Sequence, residues 1–492
     1  MNYNEYDLVI SGGGPAGLGL AQCCSSILGI KILLIEKEKI LGGCHRVNRV
    51  KYNNEDLFTE HGPRIYSSTY KNFENLLKDM NIKFNDLFVP YYFQIINVGG
   101  ETVIANLSSR EMMFLIKEYI YLLFNNNYGK DVSMYKYMTK NNFSKKAITF
   151  IDRICRLSDG ADINKFSLYS FLQIIDQQSM YTIYQPKYVN DNGLIKIWED
   201  RLKHRGVDII TNSEITKYDY NYNKITSCDL VSNGKKYKVF GKQFVIATPP
   251  IQLMDILNET GIKNAFGDYD ILKRWAIDTN YINYISISYH WNKKIELPKV
   301  YGFPKSDWGV AFIVLSDYME LKEKQSKTII SVAVTVTDEK SMNINKTANE
   351  CQTKKEVIKE VFEQLKKVYF KNLPEPTAGI MTPNNYYDVN EKKWKSKDTA
   401  YVPTYKTGNI SFKSYLYDNL YNLGTHNGYS KYNFTTLESA VTNAIKLSHI
   451  LYPKLKLKYQ IKRVTTLKEY ILFVLLFISI IIIILYYYIA IY

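Results

Sequence analysis

The 492-residue chain has few of the features that mark disulfide-rich, metal-binding or secreted proteins. It has six scattered cysteines, and none of them forms a CxxC pair or part of a disulfide-like framework. The N-terminal sequence MNYNEYDLVI lacks the charged and apolar regions of a signal peptide. We therefore expect no metal site, and we predict that the folded part lies in a reducing, cytosol-facing compartment.

The chain also lacks a nucleic-acid-binding signature, although its formal net charge is +15. The lysines and arginines are dispersed, without a basic-aromatic module or zinc-finger spacing. No nucleic-acid partner is expected. An anionic membrane surface is a simpler explanation of the charge, and a solvated basic surface without a partner remains open.

A glycine cluster near the N-terminus has the spacing of a dinucleotide-binding turn. Tyr6–Ser11 reads as a buried strand, and Gly12, Gly14 and Gly17 then match GxGxxG at the start of a small-residue helix. The first glycine permits a tight turn, the second admits a diphosphate, and the third allows close helix–strand packing. Pro15 and Ala16 lie in the same turn, which we expect to bind the diphosphate with the helix N-terminus.

The second strand, KILLIEKE, completes a βαβ unit and ends in an acidic residue. Glu36 follows Gly12 by 24 residues, where a carboxylate would accept hydrogen bonds from an adenosine ribose. Lys37 is adjacent and is included in the predicted cofactor site.

The segment KEKILGGCHRV resembles the flavin amine oxidase superfamily, which includes monoamine oxidase, protoporphyrinogen oxidase and phytoene desaturase. Its glycine pair, Gly42–Gly43, matches the place where that family's chain passes the nucleotide. The family carries an arginine directly after the pair. This chain has Cys44 there and Arg46 two positions later, which puts the usual arginine contact in doubt.

Two further segments extend the resemblance. FTEHGPRIY is similar to the part of protoporphyrinogen oxidases beside the flavin ring, which implies roles for Gly62, Pro63 and Arg64. VNDNGLIKIWEDRLKHRGVDIITNSEI is similar to the family's return to the cofactor domain, which implies that the backbone of Ile215 lies near the adenine. Asn192 stands where the family has the first glycine of a pair.

The closing signature, NLYNLGTHNGYSKYNFTTLESAVTNAIKLSHIL, resembles the last cofactor segment of amine oxidases. It implies that Gly424 and Thr425 meet the diphosphate, and that a helix beginning near residues 435–436 directs the backbone N–H of Leu437 at the flavin. His426 replaces an acidic residue often found there. Because this region contains no cysteine, the resemblance implies noncovalent FAD.

The resemblance implies an α/β fold in which a Rossmann-like FAD-binding domain is interleaved with an α+β substrate domain. Alternating strands such as NYISISYHW predict a sheet with one face covered. The predicted division is 1–90, 186–261 and 396–452 for the FAD-binding domain, 91–185 (helical) and 262–395 (sheet plus helix) for the substrate domain, 453–469 for a basic linker and 470–492 for a transmembrane helix.

The C-terminal 23 residues contain no charged side chain. As a helix they would reach roughly 34 Å, enough to cross a hydrocarbon core of about 30 Å. Six basic residues, from Lys454 to Lys468, precede this segment. We predict a single-pass tail anchor with the enzyme domain facing the cytosol.

The combined prediction is a membrane-anchored FAD-dependent oxidoreductase that oxidises a C–H or C–N bond of an amine, porphyrinogen or polyene-like substrate. Oxygen or another acceptor would reoxidise the flavin. A non-redox flavoenzyme resembling UDP-galactopyranose mutase and an inactive flavin-binding membrane protein remain alternatives. No catalytic residue is assigned: ordinary packing or surface roles are favoured for the polar and aromatic candidates, which are Tyr289, His290, Trp291, Trp394, Lys395 and Tyr401.

Overall fold

A computed structural model describes residues 5–91, 106–297, 306–321, 326–368, 373–402, 404, 409–430 and 437–491. The strands are β1 Tyr6–Ser11, β2 Ile32–Ile35, β3 Val47–Tyr52, β4 Glu55–Glu60, β5 Tyr66–Ser67, β6 Phe88–Pro90, β7 Ile183–Pro186, β8 Asp208–Ile210, β9 Ser213–Asn221, β10 Lys224–Ser232, β11 Lys235–Ile246, β12 Asn280–Tyr281, β13 Ile285–Trp291, β14 Val310–Val314, β15 Thr328–Val334, β16 Ala378–Met381, β17 Asn385–Asp388, β18 Lys393–Ser396, β19 Tyr401–Val402 and β20 Leu420–Asn422. The helices are α1 Pro15–Cys24, α2 Lys71–Asp79, α3 Phe84–Leu87, α4 Ser109–Phe124, α5 Met134–Lys140, α6 Lys145–Asp159, α7 Leu168–Met180, α8 Leu194–His204, α9 Pro250–Glu259, α10 Tyr269–Asp278, α11 Lys354–Val368, α12 Leu437–Leu451, α13 Leu455–Lys458 and α14 Leu467–Ile491.

A parallel sheet in the order β8-β2-β1-β11-β20 joins three separate parts of the sequence. β11 continues beyond this sheet and pairs in an antiparallel manner with β10, which pairs with β9. Parallel strands buried on both faces are typical of doubly wound α/β proteins. The predicted fold class, a Rossmann-like domain combined with further α and β structure, is confirmed.

Helix α1 is buried along its whole length between this sheet and α12. Its small residues explain the close packing: a Cβ added to Gly19 would lie 3.2 Å from the Cβ of Ala444. Pro15 occupies the first turn, where its missing N–H costs no helical hydrogen bond. The small-residue pattern that follows the first glycine cluster is thus a packing requirement.

The second sheet is antiparallel, in the order β14-β15-β13-β16, with α11 packed against it. Every residue of β13, β14 and β15 is buried, so the prediction of one covered face is wrong. The polar side chains of β13 face β4 and His61, the residue after β4. The hydroxyl of Ser286 donates to the carbonyl of His61, and the Nε2 of His290 lies 3.1 Å from the carbonyl oxygen of Phe58. The alternation of apolar and polar residues along β13 therefore separates two buried faces of the sheet. The polar face can be buried because its side chains make hydrogen bonds.

Helices α4 to α7 form a helical layer with its own core, which includes Leu115, Phe150, Phe166 and Leu172. Its first helix begins with a capping box, because the Ser108 hydroxyl accepts from the N–H of Glu111 while the Glu111 carboxylate accepts from the N–H of Ser108.

The C-terminal helix α14 is long and apolar enough to cross a membrane over Leu467–Ile489, and none of its apolar window is buried. It begins three residues before the predicted span. Thr466 and Glu469 make reciprocal side chain–backbone hydrogen bonds of 3.0 and 3.2 Å, which stabilise the earlier start.

Helix α2 receives its N-terminal cap from a distant helix. The carboxylate of Glu438 on α12 accepts hydrogen bonds from the N–H groups of Asn72 and Phe73, both at 2.9 Å. Burial raises the pKa of Glu438 to about 7. The interaction therefore links α2 and α12, which are distant in sequence, through a titratable group.

We expect the contribution of Glu438 to the stability of the protein to fall as pH rises. Between about pH 4.5, where the unfolded carboxyl titrates, and about pH 7, this carboxyl binds more protons in the folded state than in the unfolded state, so its contribution to the free energy of unfolding decreases. The slope of the free energy of urea unfolding in detergent between pH 5 and pH 7 should therefore be more negative in the wild-type chain than in Glu438→Gln. Glu199→Gln, which alters an exposed pair with Lys203, is the matched control and should keep the wild-type slope. An unchanged slope in Glu438→Gln would contradict the assignment.

Candidate active site

A continuous cavity of about 830 Å³ is lined by the parallel sheet, the helical layer, the chain just before β13 and residues 397–401. This volume lies in the upper part of the range of about 300–1,000 Å³ for ligand pockets. Three segments separated in sequence meet in its wall: the β1–α1 turn, the chain after β4, and the turn after β20. The glycine clusters found in the sequence therefore lie around one space.

Most residues predicted to bind the cofactor line this cavity. They are Gly12, Gly14, Pro15, Ala16, Glu36, Lys37, Gly43, Gly62, Pro63, Arg64, Ile215, Gly424, Thr425 and Leu437. Gly17 and Gly42 do not line it. Residues 435 and 436, where the last helix was expected to begin, lie outside the described residues.

The three glycines of the first turn have different surroundings. A Cβ on Gly12 or Gly17 would clash with backbone, at 2.3 Å from the oxygen of Ala247 and 1.9 Å from the oxygen of Gly12 respectively. A Cβ on Gly14 would meet nothing closer than 3.8 Å. Gly12 and Gly17 are therefore required by packing, whereas Gly14 faces open space in the cavity.

The glycine pair crosses directly over this turn. The N–H of Gly42 donates to the carbonyl of Gly13 at 2.8 Å, and Gly42 has φ +117°, which favours glycine. A Cβ on Gly43 would approach the Cα of Gly14 to 3.3 Å. Gly42 shapes the chain and Gly43 lies at the cavity, so only one of the pair is available to a ligand.

A buried ion triad lies at the end of β2. Arg46 lies between Glu36, at 3.2 Å, and Asp398, at 2.6 Å. Glu36 also accepts hydrogen bonds from the N–H groups of Gly13 and Glu38. Burial raises the pKa of Glu36, and Arg46 opposes that shift. Arg46 thus neutralises carboxylates in this wall, a role that the motif did not reveal.

The chain after β4 brings a second polar group to the cavity. Glu60 and Arg64 form a buried pair 3.5 Å apart, and burial raises the pKa of Glu60. Both ring nitrogens of His61 are buried with no hydrogen-bond partner among the described residues. Burial, reinforced by Arg64, lowers the pKa of His61 to about 3, so its imidazole is neutral at physiological pH. This arrangement offers a neutral donor or acceptor to a ligand.

The turn after β20 closes the cavity from the other side. Gly424 is held by hydrogen bonds to the side chains of Asn427, at 2.8 Å, and Asn443, at 2.6 Å. His426 is fully buried, its Nε2 lies 3.0 Å from the Oδ1 of Asn422, and burial lowers its pKa to about 3. His426 is therefore neutral and brings no carboxylate charge to the position where the family often has an acid.

The far end of the cavity is apolar and belongs to the helical layer and its neighbours. Its apolar lining residues are Leu107, Leu115, Phe150, Ile151, Ile154, Leu157, Phe166, Phe171, Ile174, Ile183 and Ile282, and Ser158 of α6 is a polar member of the same wall. Sequence reasoning missed these residues. Their periodicity indicates buried helix faces, and it does not distinguish a face against a core from a face against a cavity.

Among the polar and aromatic candidates considered from the sequence, Tyr401 alone lines the cavity. Trp291 donates to the carbonyl of Pro374 at 2.9 Å, and Trp394 donates to the carbonyl of Cys351 at 2.9 Å. Lys395 forms ion pairs with Asp388 and Glu391. These residues, like Tyr289 and His290, have structural partners away from the cavity.

Comparisons with known proteins agree with this architecture. Residues 10–80 match the family model described as an NAD(P)-binding Rossmann-like domain. A search of curated protein sequences found no significant match.

Three solved structures illustrate the similarity of fold. An oxidoreductase from Methanosarcina mazei has 12% identity and a TM-score of 0.63, covering 90% of this chain and 99% of its own. Putrescine oxidase, in a structure with putrescine bound, has 12% identity and a TM-score of 0.63, with coverage of 92% and 99%. Cyclohexylamine oxidase from Brevibacterium oxydans has 12% identity and a TM-score of 0.61, with coverage of 92% and 100%.

The fold is an α/β fold with a Rossmann-like domain, and these solved oxidases share it over about nine-tenths of this chain. This chain has the fold of the flavin amine oxidase superfamily, and the resemblance predicted from its motifs is confirmed.

Proposed function

We propose that this protein is a membrane-anchored, FAD-dependent oxidoreductase that oxidises a C–H or C–N bond of an amine, porphyrinogen or polyene-like substrate by transfer of a hydride from the substrate carbon to the flavin. One observation carries the proposal: a single cavity is glycine-rich at the end of a nucleotide-binding sheet and apolar at its other end. The proposal includes the predicted division of the chain into FAD-binding and substrate segments.

The residues around the glycine-rich end fit a dinucleotide. We assign the diphosphate to the turn Gly12–Ala16 with Gly424 and Thr425, and the adenosine ribose to Glu36. The N-terminus of α1 contributes partial positive charge at the diphosphate. Gly43, Lys37, Ile215 and Leu437 complete the assignment.

Bound FAD supplies a two-electron acceptor for the hydride that the substrate loses. The chain's own contribution is to bind, orient and exclude water. We assign Gly62, Pro63 and Arg64 to the flavin ring end, next to the neutral imidazole of His61. The buried Glu60–Arg64 pair would hold that segment in place.

We propose noncovalent binding of FAD. Cys44 is the cysteine in the cavity lining, and burial raises the pKa of its thiol, which disfavours the nucleophilic thiolate. Precipitation of the purified protein with acid should leave the flavin in the supernatant. Flavin that remains with the protein pellet would overturn this part of the proposal.

The apolar end favours a hydrocarbon portion of the substrate. Eleven of the residues that line it, from Leu107 to Ile282, are aliphatic or phenylalanine, and Ser158 is the polar member of this wall. Hydrophobic transfer contributes roughly 25 cal/mol for each Å² of apolar surface buried. An apolar amine, porphyrinogen or polyene gains from this surface, whereas a UDP-sugar does not.

The decisive experiment is anaerobic. The protein, purified in detergent, is expected to show a flavin spectrum that bleaches when a member of one of the three substrate classes is added. Bleaching that requires no pre-reduction excludes the mutase alternative. Bound flavin that no candidate reduces would favour the inactive alternative, and a colourless protein that does not take up added FAD would overturn the proposal.

We expect Glu36→Gln to weaken FAD binding by about tenfold, because hydrogen bonds to a charged acceptor are stronger than those to a neutral one. The amide oxygen can still accept from Gly13, so the turn should persist. Titration of apoprotein with FAD measures the effect, and Glu199→Gln on the exposed face of α8 is the control. Equal affinity in Glu36→Gln and wild type would remove Glu36 from the ribose site.

A further inference from the structure

Helix α4 has an unusual distribution of side chains. Its two acidic residues, Glu111 and Glu118, are buried on the inward face. Glu111 accepts from the N–H groups of Ser108 and Ser144, at 2.7 and 2.6 Å, and Glu118 accepts from the hydroxyl of Tyr128. The acids are thus used internally and are not available to make the outer face soluble.

The outward face of α4 is apolar and cationic. We define this face as Arg110, Met113, Ile116, Lys117, Ile120, Tyr121 and Phe124, all of which are exposed. Met113 is 70% exposed and Phe124 is 77% exposed. The apolar members recur at intervals of three or four residues, which forms one continuous stripe. A contiguous apolar stripe on a protein surface is typical of a site that contacts another protein or a membrane.

The two cations on this face lie over aromatic rings of α4. The guanidinium of Arg110 lies 5.3 Å from the ring centroid of Phe114, and the amine of Lys117 lies 5.6 Å from that of Tyr121. Long cationic side chains that follow an apolar surface in this way can keep their charges at a water interface while the surface is covered.

The contacts at the start of α14 indicate where the proposed membrane lies relative to α4. The amine of Lys468 donates to the carbonyl of Leu122 and to the side chain of Asn126 at the end of α4, both at 2.6 Å. Helix α14 contacts α4 and α7, and Ile471, Leu472 and Val474 are half-buried, whereas every position from Leu475 to Ile489 is exposed. The proposed membrane span therefore begins beside the outward face of α4.

We propose that the outward face of α4 is a second membrane contact, lying in the interface of the bilayer that α14 crosses. This inference rests on the proposed anchoring by α14. An apolar stripe flanked by cations is the pattern of interfacial helices that bind anionic lipid surfaces. Leu115, on the inward side of the same helix, lines the apolar end of the cavity, so one helix separates that end from lipid.

The test is site-directed spin labelling of the full chain in vesicles of phosphatidylcholine and phosphatidylserine. Single cysteines are introduced as Met113→Cys, Ile116→Cys, Ile120→Cys and Phe124→Cys, with Phe473→Cys in the span and the fully exposed Leu28→Cys as references. The unsubstituted chain measures background labelling of its native cysteines, five of which are buried. Accessibility to oxygen, which concentrates in lipid, is compared with accessibility to a water-soluble nickel complex.

We expect the oxygen-to-nickel ratio at the α4 positions to shift away from that of Leu28→Cys and toward that of Phe473→Cys. If the α4 labels have the ratio of Leu28→Cys while Phe473→Cys has the high ratio expected in lipid, the inference fails and the anchoring stands. If Phe473→Cys has the low ratio of a label in water, the anchoring fails and the inference fails with it. Labels shielded from both reagents would indicate a second copy of the chain or another protein on the face, which also overturns the inference. Flavin content, measured on the same samples, tests the cofactor proposal separately.

Discussion

Gly14→Val is expected to leave a folded protein that retains almost no FAD. The wild-type position has open space where a side chain would begin, with its nearest neighbour 3.8 Å away. Its φ of −78° and ψ of 178° are accessible to valine, so the backbone does not oppose the substitution. The added methyl groups would instead occupy the space assigned to the diphosphate.

The expected loss of FAD affinity is at least a hundredfold. Overpacking of a rigid site costs about 1–3 kcal/mol. The displaced phosphate oxygens are charged acceptors, and they would also lose hydrogen bonds from backbone N–H groups worth about 1.5–3 kcal/mol. Flavin absorbance per mole of purified protein, followed by titration with added FAD, measures this loss. Circular dichroism and the unfolding midpoint of the apoprotein should remain close to those of wild-type apoprotein.

Gly17→Ala is the matched comparison, because its Cβ would lie 1.9 Å from the oxygen of Gly12. That contact separates β1 from α1, so this smaller substitution should reduce folding yield and stability. A Gly14→Val protein with normal flavin content would remove the diphosphate from the β1–α1 turn. A stable, flavin-rich Gly17→Ala protein would contradict the packing described for that turn.

Removal of residues 470–492 is expected to convert the protein from one that requires detergent for extraction to one that does not. The deleted segment contains no charged residue, and every position of α14 from Leu475 to Ile489 is exposed. Hydrophobic residues of this kind favour membrane insertion by roughly 0.3–0.6 kcal/mol each, which sums to an effectively irreversible attachment. Any attachment that remains through the outward face of α4 should be released by alkaline carbonate.

A charge variant tests the same point without shortening the chain. Ile481→Lys with Ile482→Lys places two cations in the middle of the span, each costing about 2.5–3.5 kcal/mol of insertion free energy. Thr465→Lys, just before α14, is the control and should leave insertion unchanged. Membrane fractionation with carbonate and detergent washes distinguishes the outcomes. A truncated chain that still requires detergent would contradict anchoring by α14.

The residues of the first glycine turn illustrate how much of the site could be predicted. Their spacing, the flanking strands and Glu36 are local features, since a tight turn and a helix N-terminus need residues close together in sequence. The same holds for α14, whose run of uncharged residues needs no partner to be recognised. The presence of a flavin oxidase fold and of a candidate membrane span could therefore be inferred before any contact was known.

The role of Arg46 could not be inferred in this way. Its partners Glu36 and Asp398 are separated by 362 positions in sequence, and the motif places an arginine elsewhere. The imidazole of His61, whose nitrogens have no hydrogen-bond partner among the described residues, and the polar residues of β13 are similar cases. Their environments depend on strands that meet only after folding.

The sequence by itself determined the glycine-rich β1–α1 turn, the three segments that resemble flavin oxidases and the apolar C-terminal helix, because each depends on local spacing or composition. The tertiary structure alone decided that these segments enclose one cavity, that its far end is apolar, and that both acids of α4 point inward. The physical reason is that periodicity reports which side of a helix or strand avoids water. It does not report whether that side meets a core, a cavity or a membrane, and only the packing of distant segments distinguishes the three.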